Sequence, residues 1–164
     1  MPGLLILIGT NPVVSHGYGT TLPDPVRRLR DYRRAGGRIW AIDPRRTESV
    51  ALADEHLAIR PGADVVLLAA VVNELLRDGA DPTELCRPED LDSLRSAVQA
   101  FSLERAASVA DVPVERLEAL IADIRAHLGR LAMFCGTGTT MSGDGVLTEW
   151  LRWVILVLTG SLDR

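Results

Sequence analysis

The sequence predicts an α/β fold, in which a mainly parallel sheet carries helices on both of its faces. Short runs of consecutive apolar residues alternate along the chain with longer segments of helical periodicity. Buried parallel strands are continuously apolar because both faces are covered, and strand–helix alternation is typical of parallel sheets. The 164 residues, 47% of them hydrophobic, are enough for one ordinary domain with its own core.

Four apolar runs are predicted to form the strands. They are short and unbroken rather than alternating, which distinguishes them from strands that expose one face to water. In chain order the predicted strands are Leu4–Ile8, Arg38–Ile42, Leu57–Ile59 and Leu131–Phe134.

Helices are predicted between and after these strands. Asp24–Ala35 is followed by two glycines that can end a helix, and Asp64–Arg77 is apolar almost all round, which predicts a buried helix. Pro113 suits the first position of a helix with one apolar stripe. The other predicted helices are Thr47–Asp54, Pro88–Ala100, Leu103–Val109 and Gly145–Leu158.

Composition argues against several classes of function. The net charge is −4, so nucleic-acid binding is not expected, and every basic residue is an arginine. Cys86 and Cys135 lie far apart without a CxxC motif, so we expect no metal site built by this chain alone. Met1–Ile8 lacks the features of a signal peptide, and the apolar run Val154–Leu158 lies in a segment shorter than the about 20 residues that span a bilayer.

Glycine-rich and polar loops follow all four predicted strands. Because parallel strands end at the same carboxyl edge, we expect these loops to meet there, where doubly wound folds bind ligands. Together they offer glycine amides, hydroxyls, arginines and two carboxylates. The loops are Gly9-Thr10-Asn11-Pro12, Asp43-Pro44-Arg45-Arg46-Thr47, Arg60-Pro61-Gly62-Ala63-Asp64 and Cys135-Gly136-Thr137-Gly138-Thr139-Thr140.

These groups suit a nucleotide. Gly9 lets a phosphate approach the backbone closely, and Arg45 can pair with a phosphate through two parallel hydrogen bonds. Asp43 directly follows the second strand, the usual place of a ribose or base contact. Asp64 can accept hydrogen bonds from N1–H and N2–H₂ of guanine, a donor pair that only guanine presents among the common bases.

Each of these residues also has a structural interpretation that the sequence leaves open. The loop at Gly9 can be a plain turn, Asp43 and Asp64 can cap helices, and Arg45 can be a solvated surface charge. The segment Gly136-Thr137-Gly138 is less than a full dinucleotide fingerprint. The prediction of a nucleotide site therefore depends on the convergence of four loops, not on any one of them.

The same segments resemble the molybdopterin oxidoreductases, the dimethyl sulfoxide reductase superfamily that includes formate dehydrogenases and nitrate reductases. The chain departs from the family pattern at Ala63, where threonine is common, and at Ser161 and Asp163, which replace an asparagine and a glycine. The segments that match in order and spacing are Gly9–Pro12, Ile42–Thr47, Ala53-Asp54, Ile59–Asp64 and Leu158–Gly160.

The resemblance implies that residues 1–164 form one Rossmann-like, doubly wound domain. This domain would be a fragment of a larger molybdenum- or tungsten-dependent enzyme and would bind the nucleotide end of a molybdopterin guanine dinucleotide. The chain begins just before its first predicted strand and stops just past its last predicted helix, which also suggests a fragment. The residues implied to bind the cofactor are Gly9, Thr10 and Asn11 at the phosphates, Asp43 and Arg45 at the ribose or guanine end, Asp64 at the base, and Gly136 and Thr137 toward the pterin.

The resemblance assigns this chain no catalytic residue and no metal ligand. Redox chemistry would belong to the cofactor, which we expect to be absent from the isolated domain. The implied partners are the remaining domains of the enzyme and an electron-transfer subunit, and the expected compartment is the cytoplasm. The sequence does not identify the substrate.

Three other functions compete with this interpretation. A cofactor-free structural relative, such as the domain in the large iron–sulfur subunit of respiratory NADH dehydrogenase, would not need Asp43, Arg45 and Asp64. A nicotinamide-binding domain is disfavoured because the loop Gly9–Gly19 lacks GxGxxG. An interaction module with an empty crevice is the third.

Overall fold

A parallel four-stranded sheet organises the computed structural model, which describes residues 3–17, 22–80 and 85–162. Met1, Gly19 and Asp163, which the sequence predictions name, lie outside those residues. The strand order is β3-β2-β1-β4, so the first strand of the chain lies inside the sheet between the second and the last. The strands are β1 (Leu4–Ile8), β2 (Arg38–Ile42), β3 (Glu55–Leu57) and β4 (Leu131–Cys135).

Helices follow the strands much as the apolar periodicity predicts. Asp24 begins the second helix by accepting the Arg27 N–H at 3.2 Å. None of the helices within the described ranges combines the length and the apolar character that a membrane crossing requires. The helices are α1 (Pro12–Ser15), α2 (Pro25–Arg34), α3 (Asp64–Arg77), α4 (Pro88–Val98), α5 (Leu103–Ala110), α6 (Val114–Ala126), α7 (Thr137–Thr140) and α8 (Gly145–Leu158).

Both faces of the sheet are covered, as the continuous apolar runs predict. Residues Leu4, Ile6 and Ile8 of β1 belong to the large core cluster, which they share with apolar residues of α3, α6 and α8. Leu7 points to the other face, where it clusters with Leu29 of α2. The predicted α/β architecture with a parallel sheet and helices on both faces is therefore confirmed.

The third strand lies two residues earlier than predicted. The prediction was Leu57–Ile59, whereas the ladder with β2 runs over Glu55–Leu57 and ends where Ile42 pairs with Leu57. Beyond this point the chain leaves the sheet, because the Arg60 N–H donates to the Ala110 carbonyl at 2.8 Å. Ile59 is apolar because it is buried in the connecting loop, not because it belongs to the strand.

Charged partners explain why a glutamate can open this strand. Glu55 accepts from Arg38 of β2 at 3.0 Å and from Arg116 of α6 at 2.9 Å. Arg38 also pairs with Asp123, and the Trp40 indole N–H donates to the same carboxylate at 2.6 Å. This cluster attaches α6 to the amino-terminal half of the sheet.

Two helix predictions were also wrong in detail. Thr47–Asp54 contains only the 3-10 turn Val50–Leu52, because Asp54 accepts the Ile39 N–H at 2.8 Å and draws the chain alongside β2. Pro113 caps α6 from outside the helix, since its ψ of 139° is extended rather than helical.

Core packing between α3 and α8 predicts a large difference between two truncations on one helix. Ile155 of α8 is fully buried, whereas Val146 on the same helix is 88% exposed. We expect Ile155→Ala to lower the free energy of unfolding by about 2–5 kcal/mol, because the cavity cannot be refilled. Val146→Ala serves as the control and should change it by less than about 0.5 kcal/mol. Denaturant unfolding measures both, and equal losses would contradict the described orientation of α8.

Candidate functional site

The carboxyl edge of the sheet holds a cleft of about 390 Å³. All four strand-terminal loops contribute to its wall, as the parallel order requires. The cleft is lined by every residue predicted for cofactor binding: Gly9, Thr10, Asn11, Asp43, Arg45, Asp64, Gly136 and Thr137. The structure therefore brings the predicted residues together, while their role in binding stays a prediction.

Two glycine-containing loops meet backbone to backbone on one side of the cleft. The Gly138 N–H donates to the Gly9 carbonyl at 3.1 Å, and the Gly136 N–H donates to the Ile8 carbonyl at 2.9 Å. A Cβ on Gly136 would lie 2.6 Å from the Gly9 oxygen, and one on Gly138 would lie 2.8 Å from it. Side chains are thus excluded from the contact between the loops after β1 and β4.

Gly9 is required for a second reason. Its φ of +54° lies in the left-handed region, which side chains disfavour. The buried Thr139 hydroxyl secures the turn by donating to the Ile8 carbonyl at 3.1 Å. The backbone N–H groups of Thr10 and Thr137 have no acceptor among the described residues, which leaves both donors available to a ligand.

Asn11 lines the cleft, but its side-chain hydrogen bonds go to residues of the same protein. Its Nδ2 donates to Glu48 Oε2 at 2.7 Å. Its Oδ1 accepts from the Ser49 N–H at 3.2 Å and from the Ser49 hydroxyl at 2.6 Å. The phosphate contact predicted for this residue would therefore have to use its backbone N–H. Sequence analysis missed Glu48 and Ser49, because no local pattern marks two residues that bond a loop so far away in the chain.

Asp43 stabilises the turn after β2 and also lines the cleft. Its Oδ1 accepts the Arg45 N–H at 2.8 Å and so closes the turn after β2. The ring Nε2 of His56 hydrogen-bonds to the Asp43 carbonyl at 2.8 Å, which fixes the backbone from the side of β3. Only 8% of Asp43 is exposed, yet it still lines the cleft.

The three charged side chains at the cleft are those of Asp43, Arg45 and Asp64, and none of them forms an ion pair with another described residue. Arg45 is exposed, whereas both carboxylates are buried. Asp64 is the first residue of α3, whereas Ala63 occupies the capping position, so the helix-cap interpretation of Asp64 does not hold. Burial raises the pKa of the Asp64 carboxyl above its usual value, and Asp43 adds to this shift against an opposing backbone hydrogen bond.

A tight turn delivers Asp64 to the cleft. The Ala63 N–H donates to the Arg60 carbonyl at 3.1 Å, and Gly62 adopts a φ of +85°. This geometry, with Pro61 at the second turn position and glycine at the third, is that of a type II turn. Pro61 and Gly62 also line the cleft, although sequence analysis assigned them no contact.

A larger depression lies elsewhere, between α4 and α8, with a volume of about 600 Å³. Its wall is mostly apolar and includes Leu91, Leu94, Trp150 and Trp153, with Asp90 and Ser93 as polar members. Ligand sites usually combine apolar walls with convergent polar groups, and the cleft at the sheet edge offers more of these groups than the depression does. Within the described ranges, no three His, Cys, Asp or Glu side chains are placed to hold a metal ion.

Comparisons with known proteins agree on one group of enzymes. No family model matches the chain. The F420-dependent formate dehydrogenase 2 subunit alpha of Methanococcus maripaludis is 29% identical over 98% of this chain and 23% of its own length. The thiosulfate reductase molybdopterin-containing subunit of Salmonella typhimurium is 26% identical over 96% of this chain and 22% of its own length. The chain is thus similar, over nearly its whole length, to formate dehydrogenases, nitrate reductases and a molybdopterin-containing thiosulfate reductase subunit.

A solved structure shares the fold over almost the whole chain. Acetylene hydratase from Pelobacter acetylenicus superposes with a TM-score of 0.83 at 18% identity, over 99% of this chain and 22% of that one. This likeness confirms the Rossmann-like fold predicted from the resemblance. The chain spans less than a quarter of the length of the two curated relatives named above.

The contact between the glycine loops predicts that alanine is tolerated less well at Gly136 than at Gly62, which lies outside the contact. Gly136→Ala should separate the loops, because its Cβ would lie 2.5 Å from the Thr10 Cβ and 2.6 Å from the Gly9 oxygen. Gly62→Ala places its Cβ in open space and should cost only about 1–2 kcal/mol for the left-handed backbone. Denaturant unfolding and amide chemical shifts of Thr10 measure these effects. Unchanged Thr10 shifts in Gly136→Ala would show that the loops do not touch.

The buried carboxylate predicts that Asp64→Asn stabilises the unliganded protein at pH 7. A raised pKa means that the folded state disfavours the ionised form, so the cost is present above the usual aspartate pKa of about 3.9 and absent below it. The melting temperature should therefore rise at pH 7 and match the wild type near pH 3. Glu118→Gln, at an exposed position of α6, is the control. A lower melting temperature of Asp64→Asn at pH 7 would contradict this electrostatic account.

Proposed function

We propose that this chain binds the nucleotide end of a molybdopterin guanine dinucleotide, as one domain of a larger molybdenum- or tungsten-dependent oxidoreductase. The observation that carries the proposal is the convergence of Asp43, Asp64 and Arg45 with two glycine loops around one cleft. The similarity to molybdopterin oxidoreductases supports the parent activity. The remaining domains and an electron-transfer subunit would be its partners.

The cleft fits a nucleotide in size and in the nature of its groups. Its volume of about 390 Å³ lies within the range of about 300–1,000 Å³ that is usual for ligand pockets. The N–H groups of Thr10 and Thr137 and the Arg45 guanidinium are donors suited to phosphate oxygens. A Cβ at Gly9 would enter the neighbouring loop, so the close approach of the backbones depends on glycine there.

The part of the cleft that we assign to the nucleotide base contains two carboxylates. Asp64 is buried without an arginine partner among the described residues, and Asp43 lies in the same cleft. A ligand that supplies two N–H donors would offset the cost of burying the Asp64 carboxylate, because hydrogen bonds to the ionised form stabilise it. Guanine supplies two such donors along one edge, which adenine cannot. We therefore assign the base to Asp64 and the phosphates to the glycine loops.

The chain contributes binding and orientation. When bound, the cofactor supplies the redox chemistry through its metal and pterin, and the parts of the enzyme that reach them would determine the substrate. Gly136 and Thr137 follow β4 on the side of the glycine contact, and we assign them to the part of the dinucleotide beyond the base.

Base selectivity tests this proposal. Wild-type protein should bind guanosine diphosphate more tightly than adenosine diphosphate, and Asp64→Asn should abolish the preference because an amide N–H₂ would face the guanine donors. Loss of a charged acceptor typically costs about 1.5–3 kcal/mol, or about 10- to 150-fold in affinity. Titration calorimetry measures all four affinities, with Glu118→Gln as a control for the lost charge. Equal affinity of the wild type for both bases would overturn the guanine assignment.

A further inference from the structure

The loop after β1 is held from outside the cleft by one buried hydroxyl. Ser49 is 1% exposed and does not line the cleft. Its hydroxyl donates to Asn11 Oδ1 at 2.6 Å and accepts the Val13 N–H at 3.1 Å. The Ser49 side chain thus connects the residues on either side of Pro12. The Ser49 backbone N–H adds a third hydrogen bond, to Asn11 Oδ1 at 3.2 Å.

We infer that Ser49 is a positioning residue for the backbone of Thr10 and Asn11, and that it thereby determines how tightly the cleft binds a diphosphate. This inference rests on the proposed function, because it concerns the phosphate end of the same cleft. Opposite Ser49, the loop contacts the glycine backbone of the segment after β4. The Ser49 hydroxyl holds the loop against that segment, so its loss frees the side of the loop that the glycine contact does not hold.

The geometry separates this role from base recognition. Asp43 is fixed by its own N–H bond to the Leu57 carbonyl at 3.2 Å and by His56, and Asp64 is fixed by α3. None of these contacts includes Ser49. Removal of its hydroxyl should therefore weaken binding of the phosphates and leave the choice between bases unchanged. A substitution that only destabilised the fold would also lower the affinities for pyrophosphate and both nucleotides together, so a control of similar burial is needed.

The chain offers a matched control at the opposite edge of the sheet. Ser161 is also buried, at 8% exposure, and its hydroxyl likewise accepts a backbone N–H, that of Leu131, at 3.1 Å. Leu131 begins β4, so this bond lies at the amino-terminal edge, away from the cleft. Ser161→Ala therefore removes an equivalent hydroxyl without touching the loop after β1.

The experiment measures affinities for inorganic pyrophosphate, guanosine diphosphate and adenosine diphosphate by titration calorimetry. Ser49→Ala should weaken all three by a similar factor, about two- to tenfold, which corresponds to one or two ordinary hydrogen bonds. The ratio between the two nucleotides should not change. Ser49→Thr keeps the hydroxyl and should restore affinity, whereas Ser161→Ala should bind pyrophosphate like the wild type. If Ser49→Ala does not fold, Ser49→Cys keeps the volume and weakens the same bonds.

Three results would overturn the inference: wild-type pyrophosphate affinity in Ser49→Ala, an equal loss in Ser161→Ala, or no pyrophosphate binding by the wild type. Failure of the proposed function looks different. In that case the wild type would bind both nucleotides equally, while the dependence of pyrophosphate affinity on Ser49 would remain.

Discussion

The contact between the backbones of Gly9 and Gly138 is the constraint on which the cleft depends. The carbonyl of one residue accepts the N–H of the other at 3.1 Å, and no Cβ fits between the loops. This contact continues the pairing of β1 with β4 beyond the ends of the strands. It holds the loops after β1 and β4 together, so the side of the cleft that offers backbone N–H donors is formed before any ligand binds.

Much of the architecture could be predicted, because its decisive features are local. Strands β1 and β4 are unbroken apolar runs, β2 is apolar after Arg38, and α3 and α8 begin and end where predicted. The third strand could not be located from the sequence. Its Glu55 belongs in a sheet only because Arg38 and Arg116, distant in the chain, neutralise it. The predicted site residues were found because each belongs to a connection that follows a strand of the parallel sheet. The partner of Asn11 was not found, since Ser49 reaches it only through the tertiary fold.

The distribution of charge shows where the fold accepts an electrostatic cost. The chain contains 18 basic residues, all arginines, and many of them pair with carboxylates on its surface. Asp64 is buried without such a partner among the described residues, although burial disfavours its ionised form. A structural domain would gain stability from an asparagine or an apolar residue there. The carboxylate is better explained by the donors of a ligand than by the needs of the fold.

The position of β4 has a consequence for how the chain folds. This strand pairs with β1 although the two are separated by most of the sequence, and the helices α3 to α6 are formed from the residues in between. Contacts of such high sequence separation form slowly, because the intervening loop must close before the pairing repays its entropy. The β1–β2–β3 segment can assemble from nearer neighbours, whereas the glycine contact must wait for β4. We therefore expect the cleft to be completed late in folding. A ligand that contacts the loops after β1 and β4 as well as the carboxylates would bind only molecules in which β4 has already paired with β1.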